Sequence, residues 1–152
     1  MKYVIHHTAS PKKWTTVRDV NRWHKNAGYQ VSKLGYHVAY HYLIEEDGQI
    51  TQTRNLVERT KHTRNKDINN KSIAICLTGN FEEEKPSKEQ LQALKRMLQG
   101  KDFSWHKMHS PSLCPGKNLI KHLKDWKNRE DRLSKLKRLL KLIKKLKLKL
   151  NV

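Results

Sequence analysis

Apolar residues change their spacing several times along the chain, and each change marks a predicted element. Lys2 to His7 is a short, mostly apolar run closed by Thr8-Ala9-Ser10-Pro11, the pattern of a strand running into a turn. The spacing then lengthens. Val17, Val20 and Trp23-His24 recur at helical intervals behind Thr15 and Thr16, which can cap a first turn, and the pattern stops near Ala27-Gly28. Alternation returns in Ala39 to Ile44 and again in Gln49 to Thr53, with Asp47-Gly48 as the hairpin turn between them. Strict alternation there puts Tyr40, Tyr42 and Ile44 on one face and His41 and Leu43 on the other.

Arg54 to Lys71 is polar and predicts a long surface connection, of a length that more often carries function than not. Ser72 to Leu77 is apolar throughout and reads as a buried strand. Ser87 with Gln90 three residues on forms a capping-box pattern. It opens a helix whose apolar face is Leu91, Leu94, Met97 and Leu98, stopped by Gly100. Phe103 to His106 predicts a last short strand, and Leu119 to Trp126 a further helix. Strands alternating with helices predict an α/β domain, a central mixed β-sheet flanked by helices, with the hairpin antiparallel.

The chain's last stretch has another character. Leu133, Leu136, Leu139, Leu140, Leu142, Ile143, Leu146 and Leu150 fall on one half of a helical wheel. Lys137, Arg138, Lys141, Lys144, Lys145 and Lys149 occupy the other half, and Leu148 breaks the pattern. A basic amphipathic helix of this kind suits an anionic membrane or envelope surface, with leucines inserted and lysines at the headgroups. The competing reading is a helix packed on its own domain with a solvated lysine face.

Size and charge fit this division. At 152 residues the chain holds one domain with a real core plus a tail, divided as residues 1–130 and 131–152. The net charge of +19 calls for a polyanionic partner, and nine of the positive residues, with no acid, lie in 132–152. Charge alone would also suit nucleic acid, but no recognised nucleic-acid motif accompanies it, so no specific nucleic-acid partner is expected. Met1 runs straight into the first strand without the apolar core of a signal peptide. Synthesis in a host cytoplasm, as a monomer, is the expectation.

Two cysteines occur. Cys76 sits within the apolar run 72–77 and reads as a buried, inert thiol. Cys114 is different. It closes the segment Trp105-His106-Lys107-Met108-His109-Ser110-Pro111-Ser112-Leu113-Cys114-Pro115-Gly116, where a histidine eight residues before a cysteine has the look of two ligands of one metal. Imidazole with thiolate favours zinc over magnesium or calcium. The pair His6-His7 is the natural source of a third ligand, but adjacent strand residues point to opposite sides and spacing does not choose between them. His24 follows an apolar helix face and reads as a packing or hydrogen-bonding histidine.

Several blocks, in order, resemble the zinc-dependent N-acetylmuramoyl-L-alanine amidases of the type-2 amidase and peptidoglycan-recognition-protein family. They are Val4 to Ser10, Arg18 to Lys25, Tyr40 to Ile44 with Asp47 to Ile50 and Arg54, Ser72 to Leu77, and His106 to Gly116. The resemblance implies a single Zn2+ per chain held by His6, His106 and Cys114, with His109 left as a loop residue. It implies that Tyr40 either deprotonates the attacking water or hydrogen-bonds the oxyanion. It puts Ser112 where the family carries lysine or threonine, as a weaker oxyanion partner, and His62 in the substrate groove. The implied activity is hydrolysis of the amide between N-acetylmuramic acid and L-alanine of bacterial peptidoglycan, as in phage endolysins that act on the wall after release. The alternative is a non-catalytic peptidoglycan-binding protein of the same fold.

Overall fold

The computed structural model describes the backbone of residues 1–150 and the side chains of residues 1–148. Lys149 and Leu150 of the amphipathic pattern therefore have no described side chains, and Asn151 and Val152 lie outside the described residues. Contacts divide the chain into two units, 1–119 and 120–152.

The first unit is built on a five-stranded mixed sheet. In chain order the strands are β1 (Lys2–His7), β2 (Tyr42–Ile44), β3 (Ile50–Gln52), β4 (Ser72–Leu77) and β5 (Phe103–Trp105), arranged in space as β3-β2-β4-β1-β5. β1 runs parallel to both β4 and β5, β2 runs parallel to β4, and only β3 is antiparallel. All six residues of β4 are buried, which is why its sequence is apolar without alternation. The polar end of β1 is buried too: His6 is 1% and His7 6% exposed.

Helix α1 (Val17–Asn26) starts at Thr16, whose hydroxyl accepts the Asp19 N–H while the Asp19 carboxylate accepts the Thr16 N–H. Its Val17 and Val20 pack with Val38, Leu43 and Cys76, covering the sheet face that also carries His6, the register partner of Cys76. Helix α3 (Lys88–Leu98) opens with the capping box of Ser87 and Gln90. The Gln90 amide also donates to the Thr78 carbonyl, which ties the helix start to the end of β4.

Two predicted segments come out differently. The hairpin strand begins at Tyr42 rather than Ala39. The His41 N–H still donates to the Ala74 carbonyl, but the Ala74 N–H donates to Nδ1 of the His41 ring instead of to a backbone carbonyl. The ladder ends there, alternation lapses, and Tyr40 packs on the Leu43 and Cys76 side rather than beside Tyr42. The connection 54–71 is not a surface loop throughout. It contains a short helix, α2 (Lys66–Lys71), capped by Asn65, and it buries Arg54, Thr60, His62 and Asn69. Each of these polar groups has a partner inside: Arg54 Nε donates to the Val38 carbonyl at 2.6 Å, and Thr60 Oγ1 to the Ala39 carbonyl at 2.6 Å.

Helix α4 (Lys117–Leu150) runs unbroken, so the predicted helix 119–126 and the predicted tail helix are one element. In the second unit Leu133, Leu136, Leu139, Leu140, Leu142, Ile143 and Leu146 are each about half exposed. Lys135 and Lys147 fall on the leucine side of the helix and interrupt the stripe. Among the described residues no helix is long and apolar enough to cross a membrane.

Candidate metal centre

Two stretches of chain about a hundred residues apart meet at the end of β1. His6 comes from the strand itself, His106 from the 3-10 turn His106–Met108 that follows β5, and Cys114 from the loop that folds back before α4. One ligand atom from each lies within 4.8 Å of the others. The Cys114 Sγ is 3.7 Å from His6 Nδ1. Two ligands of a tetrahedral zinc, with sulfur at about 2.3 Å and nitrogen at about 2.0 Å, stand roughly 3.6 Å apart. The donor set and this spacing therefore fit zinc.

The parallel pairing with β5 brings His106 to β1, since Ile5 is the register partner of Trp105. The loop to Cys114 is closed by the Lys107 N–H donating to the Cys114 carbonyl and by the Gly116 N–H donating to the Leu113 carbonyl. Gly116 has φ of +89°, and a Cβ there would collide with the backbone of Phe81 and Glu82. Only glycine fits that turn.

Electrostatics suit a cation. Burial, then the charges His62, His106 and His7 would carry, hold His6 well below the ordinary imidazole range, so it is neutral at pH 7. Burial pushes the Cys114 thiol up to about 12, against the His7 N–H donated to its sulfur at 3.3 Å. Such a thiol ionises near neutrality only beside a positive charge, which a bound dication supplies. His106 is lowered by burial first, then by His109 and Arg64.

The remaining predicted residues are distributed around this centre. The Tyr40 ring lies 5.1 Å from the His6 ring, tilted by 43°, and burial, then Cys76 and Cys114, raise its phenol well above the usual tyrosine range. Ser112 lies on the closing loop, its hydroxyl accepting the Cys114 N–H at 3.0 Å. His62 is 6% exposed, with Nδ1 3.0 Å from His6 Nε2. His7 points the other way, its Nδ1 accepting the Phe81 N–H, and His109 lies 2.7 Å from the Ser104 hydroxyl. His24 packs between Tyr29 and Tyr40 and accepts the Ala39 N–H, a structural histidine as expected. Both cysteines are free thiols.

A cleft of about 790 Å³ is lined by Tyr29, Arg59, Thr60, Lys61, Arg64 and Lys66 among others, and none of the three candidate ligands lines it. Its cations come from the 54–71 connection, which its length had marked as a functional stretch, but the wall made by residues 27–30 after α1 was not foreseen. Ser72, which meets the His62 ring, was also missed: it reads as nothing more than the first residue of a strand.

Comparison with known proteins places this arrangement. Residues 2–134 match the family model described as N-acetylmuramoyl-L-alanine amidase. The chain belongs to that family. Among its relatives, the endolysin of Escherichia phage T7 is 27% identical over 128 residues, covering 76% of this chain and 80% of the relative. Peptidoglycan-recognition protein SD of Drosophila simulans is 28% identical over 141 residues, covering 86% and 75%. Among solved structures, the N-acetylmuramoyl-L-alanine amidase LysC from Clostridium intestinale URNW superposes with a TM-score of 0.67 at 27% identity, over 84% of each chain. That amidase shares the α/β fold whose β1 and post-β5 turn bring His6 and His106 together here.

Proposed function

We propose that this chain is a zinc-dependent N-acetylmuramoyl-L-alanine amidase that hydrolyses the bond between N-acetylmuramic acid and L-alanine in bacterial peptidoglycan. The observation that carries this reading is the convergence of His6, His106 and Cys114 on one point in a member of the amidase family. Zinc held by these residues supplies a Lewis acid for the scissile carbonyl and lowers the pKa of water to about 7.

The chain's own groups do the rest. Tyr40 keeps its proton at neutral pH and so serves as a hydrogen-bond donor to the developing oxyanion. Ser112 uses an oxygen lone pair on the Cys114 N–H, which leaves its own proton available to the same oxyanion. The cleft lined by Arg59, Lys61, Arg64 and Lys66 suits the carboxylates of the stem peptide.

The second reading, a peptidoglycan receptor without catalysis, is favoured by the peptidoglycan-recognition relatives and opposed by the complete donor set. Metal analysis with mass analysis of fragments released from purified peptidoglycan separates the two. The amidase reading expects one zinc per chain and release of stem peptides beginning with a free L-alanine amine. Cys114→Ser is expected to lose zinc and hydrolysis together while still binding the polymer. Turnover that survives this change defeats the mechanism.

The exposed leucines and lysines of α4 extend the proposal: residues 132–152 engage the anionic membrane or envelope of the target cell. The enzyme then acts on the wall after release from a host cytoplasm.

A further inference from the structure

His62 does not touch the metal ligands at random; it sits in a hydrogen-bond chain with a fixed direction. Ser72 Oγ donates its one proton to the Ile68 carbonyl at 2.6 Å. It can therefore only accept from His62 Nε2, 3.1 Å away, and the proton of that ring lies on Nε2. A neutral imidazole protonated on Nε2 has its lone pair on Nδ1. His62 Nδ1 faces His6 Nε2 at 3.0 Å, so His6 is the donor and carries its proton on Nε2. The lone pair of His6 is then on Nδ1, the atom that faces the Cys114 sulfur at 3.7 Å.

We infer that His62 is the positioning residue of the metal centre: through Ser72 and Ile68 it fixes the Nε2–H tautomer of His6 and so presents Nδ1 as the metal ligand. This rests on the proposed zinc site, and it gives His62 a different task from lining the groove. The backbone carbonyl of Ile68, within α2, is the anchor that sets the direction of the chain. Reversal has a definite consequence. If Ser72 could not accept, His62 could carry its proton on Nδ1 and donate to His6 Nε2, which would move the His6 proton onto Nδ1, the atom that faces Cys114. Partners of this kind contribute about 10-fold to 100-fold in metal affinity where the ligand is histidine.

Two measurements on the full chain test this. Long-range nitrogen-15 NMR of the histidine rings in metal-free wild type reads the tautomers directly. The inference expects Nε2–H for both His6 and His62, and a His6 ring protonated on Nδ1 overturns it. Zinc affinity by chelator competition is the second readout, for wild type, His62→Ala, His62→Asn and Ser72→Ala. His62→Ala should weaken zinc by about 10-fold to 100-fold. His62→Asn, which keeps an acceptor near the Nδ1 position, should recover part of that loss, and Ser72→Ala should weaken zinc without touching either ring. Zinc affinity unchanged in His62→Ala, with a raised KM on peptidoglycan, assigns the residue to the groove and overturns the inference. Should His62→Ala fail to fold, the wild-type tautomers still decide. The zinc-enzyme reading fails separately, if wild type itself takes up no zinc.

Discussion

At the scale of single residues, the centre depends on a few positions with no tolerance for change. Gly116 is the sharpest. Its positive φ and the backbone of Phe81 and Glu82 against it leave no room for a methyl group, and Cys114 is two residues away. Gly28 offers a control, since its φ is +79° but nothing lies within 4 Å of an added Cβ. Gly28→Ala is expected to cost only the backbone term of about 1 kcal/mol. Gly116→Ala combines that term with a clash against main chain that cannot rotate away, for a total of at least about 2 kcal/mol. Urea unfolding of the metal-free proteins measures the difference, and equal losses in the two variants would show that the turn can yield.

Between elements, one buried histidine replaces a ladder bond. His41 receives the Ala74 N–H of β4 on Nδ1 and donates from Nε2 to the Glu58 carbonyl, joining the sheet to the 54–71 connection. Both roles need the neutral ring in this tautomer. Burial, with a smaller push from Arg54, lowers the His41 pKa despite the opposing Glu58 carbonyl. His24 is lowered in the same direction, again by burial first. The unfolded chain therefore binds protons more readily than the folded one. The stability these rings provide is fully present above pH of about 6.5 and is lost as pH falls from there toward the folded values. Each proton taken up steepens the loss by at most about 1.4 kcal/mol per pH unit. The metal-free protein should thus lose unfolding free energy between pH 7 and pH 5, and His41→Gln should be less stable at pH 7 but show a shallower fall. An unchanged slope would mean that His41 does not contribute to the acid sensitivity.

For the molecule as a whole, the proposed function divides wall chemistry and envelope engagement between different stretches of sequence. The family match covers residues 2–134, while the leucine and lysine pattern begins at Leu133. Truncation after Arg132 is expected to leave zinc content and hydrolysis of isolated peptidoglycan nearly intact. Killing of intact cells from outside should fall, because eight positive charges and the half-exposed leucines of residues 133–152 go with the tail. Equal loss in both assays would make the tail a structural part of the enzyme instead.

The sequence by itself determined most of the strands, the starts of α1 and α3, and the donor chemistry. Burial on both faces made β4 apolar throughout, the caps at Thr16 and Ser87 are local hydrogen bonds, and a histidine and a cysteine eight apart need only one turn and one loop between them. These signals are short-range, so they are written in neighbouring residues. What only the tertiary structure decided is long-range. Parallel pairing of β1 with β5 selected His6 over His7 as the neighbour of His106 and Cys114. A histidine ring replaced a ladder bond, which turned Tyr40 toward that centre. The polar connection folded inward to bring His62 onto His6, because one partner 56 residues away and another, Ser72, could together satisfy its buried ring. No local pattern encodes such a partner, since a polar residue in a polar stretch reads the same whether it meets water or another side chain.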